Sequence, residues 1–259
     1  MAFTLVKWYF DVVTDDGVAL VSYAAQLRWG ALRLRYASAF RQDAENEVRE
    51  VSTIRRVGSP RVEGNRIAWR CPAIDLEGEW ETRSPPIEQT LLRTTAGQLR
   101  WSCRMPRARA TVRLGGDEST GLGYAERLRL TIPPNRLPFR LLRWGRHVST
   151  VHSVVWIEWR GDHERRWVWV DGREQPDARL TERGLEGLSG DRELRLELPR
   201  DLVDRPVIAA FAHLPPALAR RIAGPVGTMR EHKQLARSKL IEAGRPLDSG
   251  CTLFEEVTW

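Results

Sequence analysis

The chain has 259 residues, enough for one large domain or two smaller ones. Its 41 lysines and arginines exceed its 34 acids by a formal +7, but the arginines are scattered among nearly as many acids and form no nucleic-acid motif, so nucleic acid is not an expected partner. No apolar run approaches the roughly 18 residues of a membrane span, and Lys7 and Asp11 interrupt the start before a signal-peptide core forms; the expectation is a soluble, cytoplasmic protein with at most transient membrane contact.

In chain order, "KWYFDVVTDDG" (7–17) reads as a first strand with Trp8 and Phe10 on one face and Tyr9 and Asp11 on the other. Either face can turn inward. Trp8 and Phe10 inward make core or an apolar wall with Asp11 solvated, whereas Tyr9 and Asp11 inward make a polar site. "GVALVSYAAQL" (17–27) and "ALRLRYASAF" (31–40) follow as strands around a turn at Trp29 and Gly30. Further strands are expected at 48–54, at 66–80 with a break near Pro72, at 87–94 and at 99–114, the last interrupted by Pro106. "GGDESTGLG" (115–123) reads as a turn-rich linker.

"YAERLRLTI" (124–132) alternates clearly and places Glu126 beside Tyr124, Leu128, Leu130 and Ile132. "PPNRLPF" (133–139) cannot continue a sheet. Short strands at 151–160, 165–172, 192–199 and 207–214 keep an all-β cadence. "PPALARRIAG" (215–224) suits one or two helical turns; 229–244 fits either a helix or a pair of irregular strands, and the terminal "CTLFEEVTW", a closing strand, favours strands. Two β units result, 1–120 and 121–259.

Glu126 is the first candidate for chemistry. A carboxyl group on an apolar strand face is desolvated, which favours the protonated form that a general acid requires; an ion pair with one of the many arginines is the structural alternative. "RWGRHVSTVHSVVWIEW" (143–159) holds the densest mixed chemistry, with His152, Trp156 and Glu158 on one strand face and His147 nearer the preceding turn. His152 and Glu158 lie about 20 Å apart along an extended strand, so each needs partners from other strands. Cys71, Cys103 and Cys251 show no paired spacing, and the histidines lack ligand spacing, so neither a disulfide framework nor a metal site is indicated. No nucleophile elbow or phosphate loop occurs. Eleven tryptophans suit cores and pockets for long apolar ligands.

Four stretches together, "KWYFDVVTDDG", "GLGYAERLRLTIPPNRLPFRLLRWGRH" (121–147), "SVVWIEWRG" (153–161) and "HKQLARSKLIEAG" with "FEEVTW", resemble the lipocalin-like superfamily of carotenoid 1,2-hydratases, AttH-type proteins, tocopherol cyclases and lipocalin-like Diels–Alder cyclases. The resemblance implies two consecutive lipocalin-like antiparallel β-barrels with an apolar ligand site. It implies hydratase or cyclase chemistry on a carbon–carbon double bond of an isoprenoid or polyene, with no cofactor. On the matching positions it implies Asp11, Glu126 and Glu158 as acids or bases, and Trp8, Tyr9, Tyr124, Arg146, His147 and Trp156 as substrate-binding groups; His152, outside those positions, is a candidate base if the strand face it shares with Glu158 looks into a pocket. The chain is short for this group and carries a single tryptophan before Tyr9, which implies a trimmed or more open first barrel. A carrier of an isoprenoid-like ligand explains the tryptophans equally well, because binding oil needs no acid. An interaction module is the reading if both barrels are packed solid.

Overall fold

The structure is a computed structural model that describes residues 2–82, 84–211 and 228–259. The chain divides into two compact units, Met1–Ile132 and Pro133–Trp259. The boundary falls later than the expected 120/121 because only Gly115 and Gly116 form the turn; from Asp117 the chain is already strand, laddered back onto the strand before it.

The first unit contains β1 (Phe3–Val13), β2 (Ala19–Trp29), β3 (Leu32–Gln42), β4 (Val48–Thr53), β5 (Arg61–Glu63), β6 (Arg66–Cys71), β7 (Leu76–Thr82), β8 (Ile87–Thr94), β9 (Gly97–Leu114) and β10 (Asp117–Leu130). They form one antiparallel sheet in the order β4-β3-β2-β1-β10-β9-β7-β6-β5, with β8 on another stretch of β9. Between β6 and β7 the expected break is a single 3-10 turn, Pro72–Ile74.

Which face of β1 is core is settled by packing. Phe10 and Val12 are fully buried with Leu20, Ala39, Ile67 and Trp80, and Trp8 packs against the same cluster. This cluster joins residues from β3 and β6, near opposite ends of the sheet, so the sheet must curl around it. Among the described residues no ladder joins β4 to β5, so the expectation of a fully closed barrel is corrected here. The reason lies in the connection: it carries Gly58 and Pro60, and it is held by side chains instead of a ladder. The Trp69 indole donates to Gly58 O (3.2 Å), Arg35 to Val57 O (3.3 Å) and Gln26 to Ser59 Oγ (2.7 Å).

Pro106 does not end β9. It lies where β9 changes partner, β8 pairing with 97–103 and β7 with 108–114, and where the register against β10 slips twice. Ala125 faces Met105 and Glu126 faces Cys103, so Arg104 is an extra residue, a bulge. The bulge turns Cys103 and Met105 to opposite faces of the sheet, although alternation alone would place them together.

The second unit contains β11 (Leu141–Val148), β12 (Ser153–Arg160), β13 (Arg165–Val170), β14 (Arg173–Glu174), β15 (Arg179–Thr181), β16 (Gly184–Leu188), β17 (Arg192–Pro206), β18 (Arg230–Glu242) and β19 (Arg245–Thr258). Their order is β14-β13-β12-β11-β19-β18-β17-β16-β15, again without a closing ladder among the described residues. Here Gln175 bridges the edges. Its backbone N–H donates to Val168 O (2.8 Å), and its side-chain oxygen accepts from the backbone N–H and the hydroxyl of Ser189 (2.9 and 2.6 Å). Val154, Trp156, Val168, Leu194 and Leu240 are among the residues filling the core. The closing segments are strands as expected, but residues 207–211 form a 3-10 turn instead of a strand, and the expected helix at 215–224 lies outside the described residues. No helix among the described residues is long and apolar enough to cross a membrane.

Candidate functional site

With Trp8, Phe10 and Val12 committed to the core, Tyr9 and Asp11 point to the other face of the first sheet. That face is not solvated: Asp11 is 0% exposed and Tyr9 3%. The alternative of core plus a solvated Asp11 therefore holds only in its first half. Across the β1–β10 ladder, Asp11 is opposite Tyr124 and Tyr9 is opposite Glu126. Paired positions share a face, so two carboxyl groups and two phenols form a four-cornered patch, with Asp11 and Glu126 on the diagonal, where strand neighbours lie about 7–8 Å apart and their Cβ atoms somewhat closer.

Glu126 is held in place. Its Oε2 accepts hydrogen bonds from the Tyr124 hydroxyl (2.7 Å) and the Trp101 indole N–H (2.6 Å). Tyr124 is fully buried, and burial is the main cause that pushes its pKa well above the usual phenol range, so it remains a neutral donor. Cys103, opposite Glu126, is also fully buried; burial first, then the nearby Glu126 and Asp11 carboxylates, push its thiol far up. It is therefore no nucleophile. Tyr9 packs edge-on against Tyr23 and Tyr124, with centroids 5.5 and 6.0 Å apart. The Tyr23 ring already receives a cation, the Lys7 ammonium, 4.5 Å from its centroid.

Beneath the patch, the Trp80 indole donates to the backbone carbonyl of Asp11 (2.9 Å), fixing β1 from the core side. Gly78 and Gly123 make this approach feasible, since a Cβ on either would lie within 3.0 Å of the Trp80 ring.

The remaining sequence candidates are dispersed. Trp8 stacks in the core beside Phe10. In the second unit, Glu158 is 7% exposed and bridges Arg160 (3.0 Å) and Arg143 (3.7 Å), the ion-pair role that the sequence offered as the alternative for Glu126. His152 precedes β12 instead of lying in it, and its Nδ1 meets Asp171 at 2.8 Å. Arg146 is fully buried, with Nη1 3.2 Å from both the carbonyl oxygen and the sulfur of Cys251. His147 points the other way, into the core with Trp156. There its Nδ1 meets Ser238 Oγ at 2.8 Å, while Nε2 is buried without a hydrogen-bond partner. Burial, aided by the Arg146 cation, lowers its pKa to about 4. Among the described residues no three histidine, cysteine or carboxylate side chains gather as a metal site.

Sequence reasoning missed Trp101, Cys103 and Tyr23 as members of the patch. Their only signal was alternation within their own strands; the ladder register that brings them to Glu126 and Tyr9 is not written locally.

A cavity of about 350 Å³ also exists in the first unit, but it does not adjoin the patch. Ile67 and Met105 form its floor, on the core face, with Val62, Gly64, Asn65, Ser84, Pro85 and Pro86 around its mouth. The chemistry-bearing groups and this cavity are therefore separate features.

No protein-family description and no curated protein matches the sequence. Solved structures do match. CghA, solved with Sch210972, aligns with a TM-score of 0.62 at 11% identity over 98% of this chain and 88% of that one. A putative AttH from Nitrosomonas europaea aligns at 0.59 and 12%, over 100% and 92% of the two chains. Kievitone hydratase from Nectria haematococca aligns at 0.55 and 11%, over 98% and 88%. The chain thus has the all-β, lipocalin-like two-sheet fold of these proteins, and the expected resemblance holds at the level of fold.

Proposed function

We propose that the protein is a cofactor-independent hydratase or cyclase acting on a carbon–carbon double bond of an isoprenoid or polyene, with Asp11, Tyr124 and Glu126 as its working groups. The observation that carries this reading is the pair of carboxyl groups on one buried aromatic sheet face, diagonal to each other across β1 and β10. The fold shared with kievitone hydratase and CghA supports it as analogy.

In this reading Asp11 gives its proton to one alkene carbon, and the other carbon becomes a tertiary cation. The ring of Tyr9 stabilises that cation without attacking it. For hydration, water adds its oxygen to the cation and loses a proton to Glu126, and return of that proton from Glu126 to Asp11, directly or by exchange with water, restores the acid. Glu126 is suited to accept this proton, because its Oε2 is already oriented by Tyr124 and Trp101. For cyclisation, a second double bond or a hydroxyl of the substrate attacks instead, and the same base takes the proton released.

The test is incubation of the purified protein with isoprenoid and polyene alkenes and a lipid extract, read by mass spectrometry beside Asp11→Asn and Glu126→Gln. A product heavier by one water, or an isomer of equal mass, should appear with the native protein and fall about 10²–10⁴-fold in both variants. An unchanged apolar ligand retained equally by all three proteins would sink the enzymatic reading and make the protein a carrier.

A further inference from the structure

The cavity on the core face has its own chemistry. Its floor, Ile67 and Met105, is apolar and almost wholly buried, and Pro85 and Pro86 extend that surface toward the mouth. Among the described residues that line the cavity, Arg104 is the one charged side chain. Arg104 is placed there by the β-bulge, which removes it from the regular alternation of β9 while Met105 turns to the core. The bulge thus builds both ends of the cavity from consecutive residues, an apolar floor and a cationic rim.

Arg104 is also able to change partners. Its one hydrogen bond, to Glu88 Oε1, is long at 3.3 Å, and the same oxygen accepts a shorter one of 2.7 Å from Ser102. Glu88 therefore stays held if Arg104 leaves it. A guanidinium with donors to spare, beside an apolar pocket of about 350 Å³, matches a planar carboxylate on a short hydrocarbon body of about ten carbons.

We propose that this cavity is a second ligand site, which binds an apolar monocarboxylate of about ten carbons, chain on Ile67 and Met105 and carboxylate on Arg104. The site is independent of the alkene chemistry. Met105 lies on the opposite face of the sheet from Asp11 and Glu126, so neither carboxyl group touches this ligand.

The experiment is calorimetric titration of the full chain with sodium decanoate and with decan-1-ol, whose bodies are alike and whose heads differ in charge. Decanoate should bind saturably and about tenfold more tightly than the alcohol. Arg104→Gln should abolish that preference while leaving alcohol binding unchanged. Glu88→Gln, which removes the competing carboxylate, should tighten decanoate. Val62→Trp, at a partly exposed position of the mouth, should block both ligands with an unchanged circular dichroism spectrum. Absence of saturable binding, equal affinity for acid and alcohol, or binding indifferent to Val62→Trp would each overturn the proposal. A loss of alkene conversion in the Asp11 or Glu126 variants with decanoate binding intact would leave it standing, so the two proposals fail separately.

Discussion

The Tyr124 hydroxyl donates to Glu126 Oε2 at 2.7 Å, and Tyr124 stands directly across the ladder from Asp11. One phenol thus orients one carboxylate and sits beside the other. Removing the hydroxyl in Tyr124→Phe deletes a hydrogen bond that holds Glu126 while keeping the ring, which should cost about 1–3 kcal/mol in urea unfolding. Turnover of the alkene substrate should fall less than in Glu126→Gln, because the positioning partner is lost but the base remains. Equal losses in the two variants would mean that Tyr124 does more than orient Glu126.

Gly123 tests whether the backbone beneath Asp11 must stay close to Trp80. A Cβ at this position would lie 2.5 Å from the Ala110 Cβ and 3.0 Å from both Asp11 O and Trp80 Cδ1. Gly123→Ala therefore has to push β1, β9 or the indole aside. The expected outcome is destabilisation by about 1–3 kcal/mol, together with an activity loss exceeding that of a core variant of similar stability remote from Asp11. Denaturant midpoints measured beside turnover separate the two effects.

The strands were largely legible because their signals are local. Alternation marked β1, β10 and β12, and glycines and prolines marked the breaks at Pro72 and Gly115. Alternation also put Glu126 with Tyr124. It did not say which face of β1 was core, since both faces carry aromatic residues, and only the contacts of Phe10 with Trp69 and Trp80 decide that. Pro106 was legible as an irregularity but not as a bulge, because a bulge is defined by the partner strand. His152 was displaced for a similar reason: Asp171 accepts from the Ser153 N–H at 2.9 Å and meets the His152 ring, which fixes both residues at the strand entrance.

Glu158 supplies a contrasting prediction. Its carboxylate is nearly buried, but its partners Arg143 and Arg160 are 35% and 47% exposed, so solvent screens much of the attraction. Glu158→Gln should lower stability by about 1–2 kcal/mol and leave turnover per folded molecule unchanged. A specific loss of activity at unchanged stability would move Glu158 from ion pair to working group.

His147 makes the second unit acid-sensitive. Its pKa is about 4 in the folded protein against an ordinary 6.5, chiefly because burial disfavours the imidazolium. Between these values the unfolded chain binds the additional proton, so stability rises with pH across this window. The contribution is fully present above pH 6.5 and disappears as pH falls through 4, about 3 kcal/mol in total. The groups surrounding the ring do not cancel it: Arg146 and His152 oppose the imidazolium, while Asp248 and Asp171 favour it less strongly than burial disfavours it. His147→Gln removes the titrating group and retains a polar side chain for Ser238. Denaturant midpoints of the native protein should therefore drop more steeply from pH 7 to pH 5 than those of the variant, and parallel curves would show that His147 does not carry the acid sensitivity.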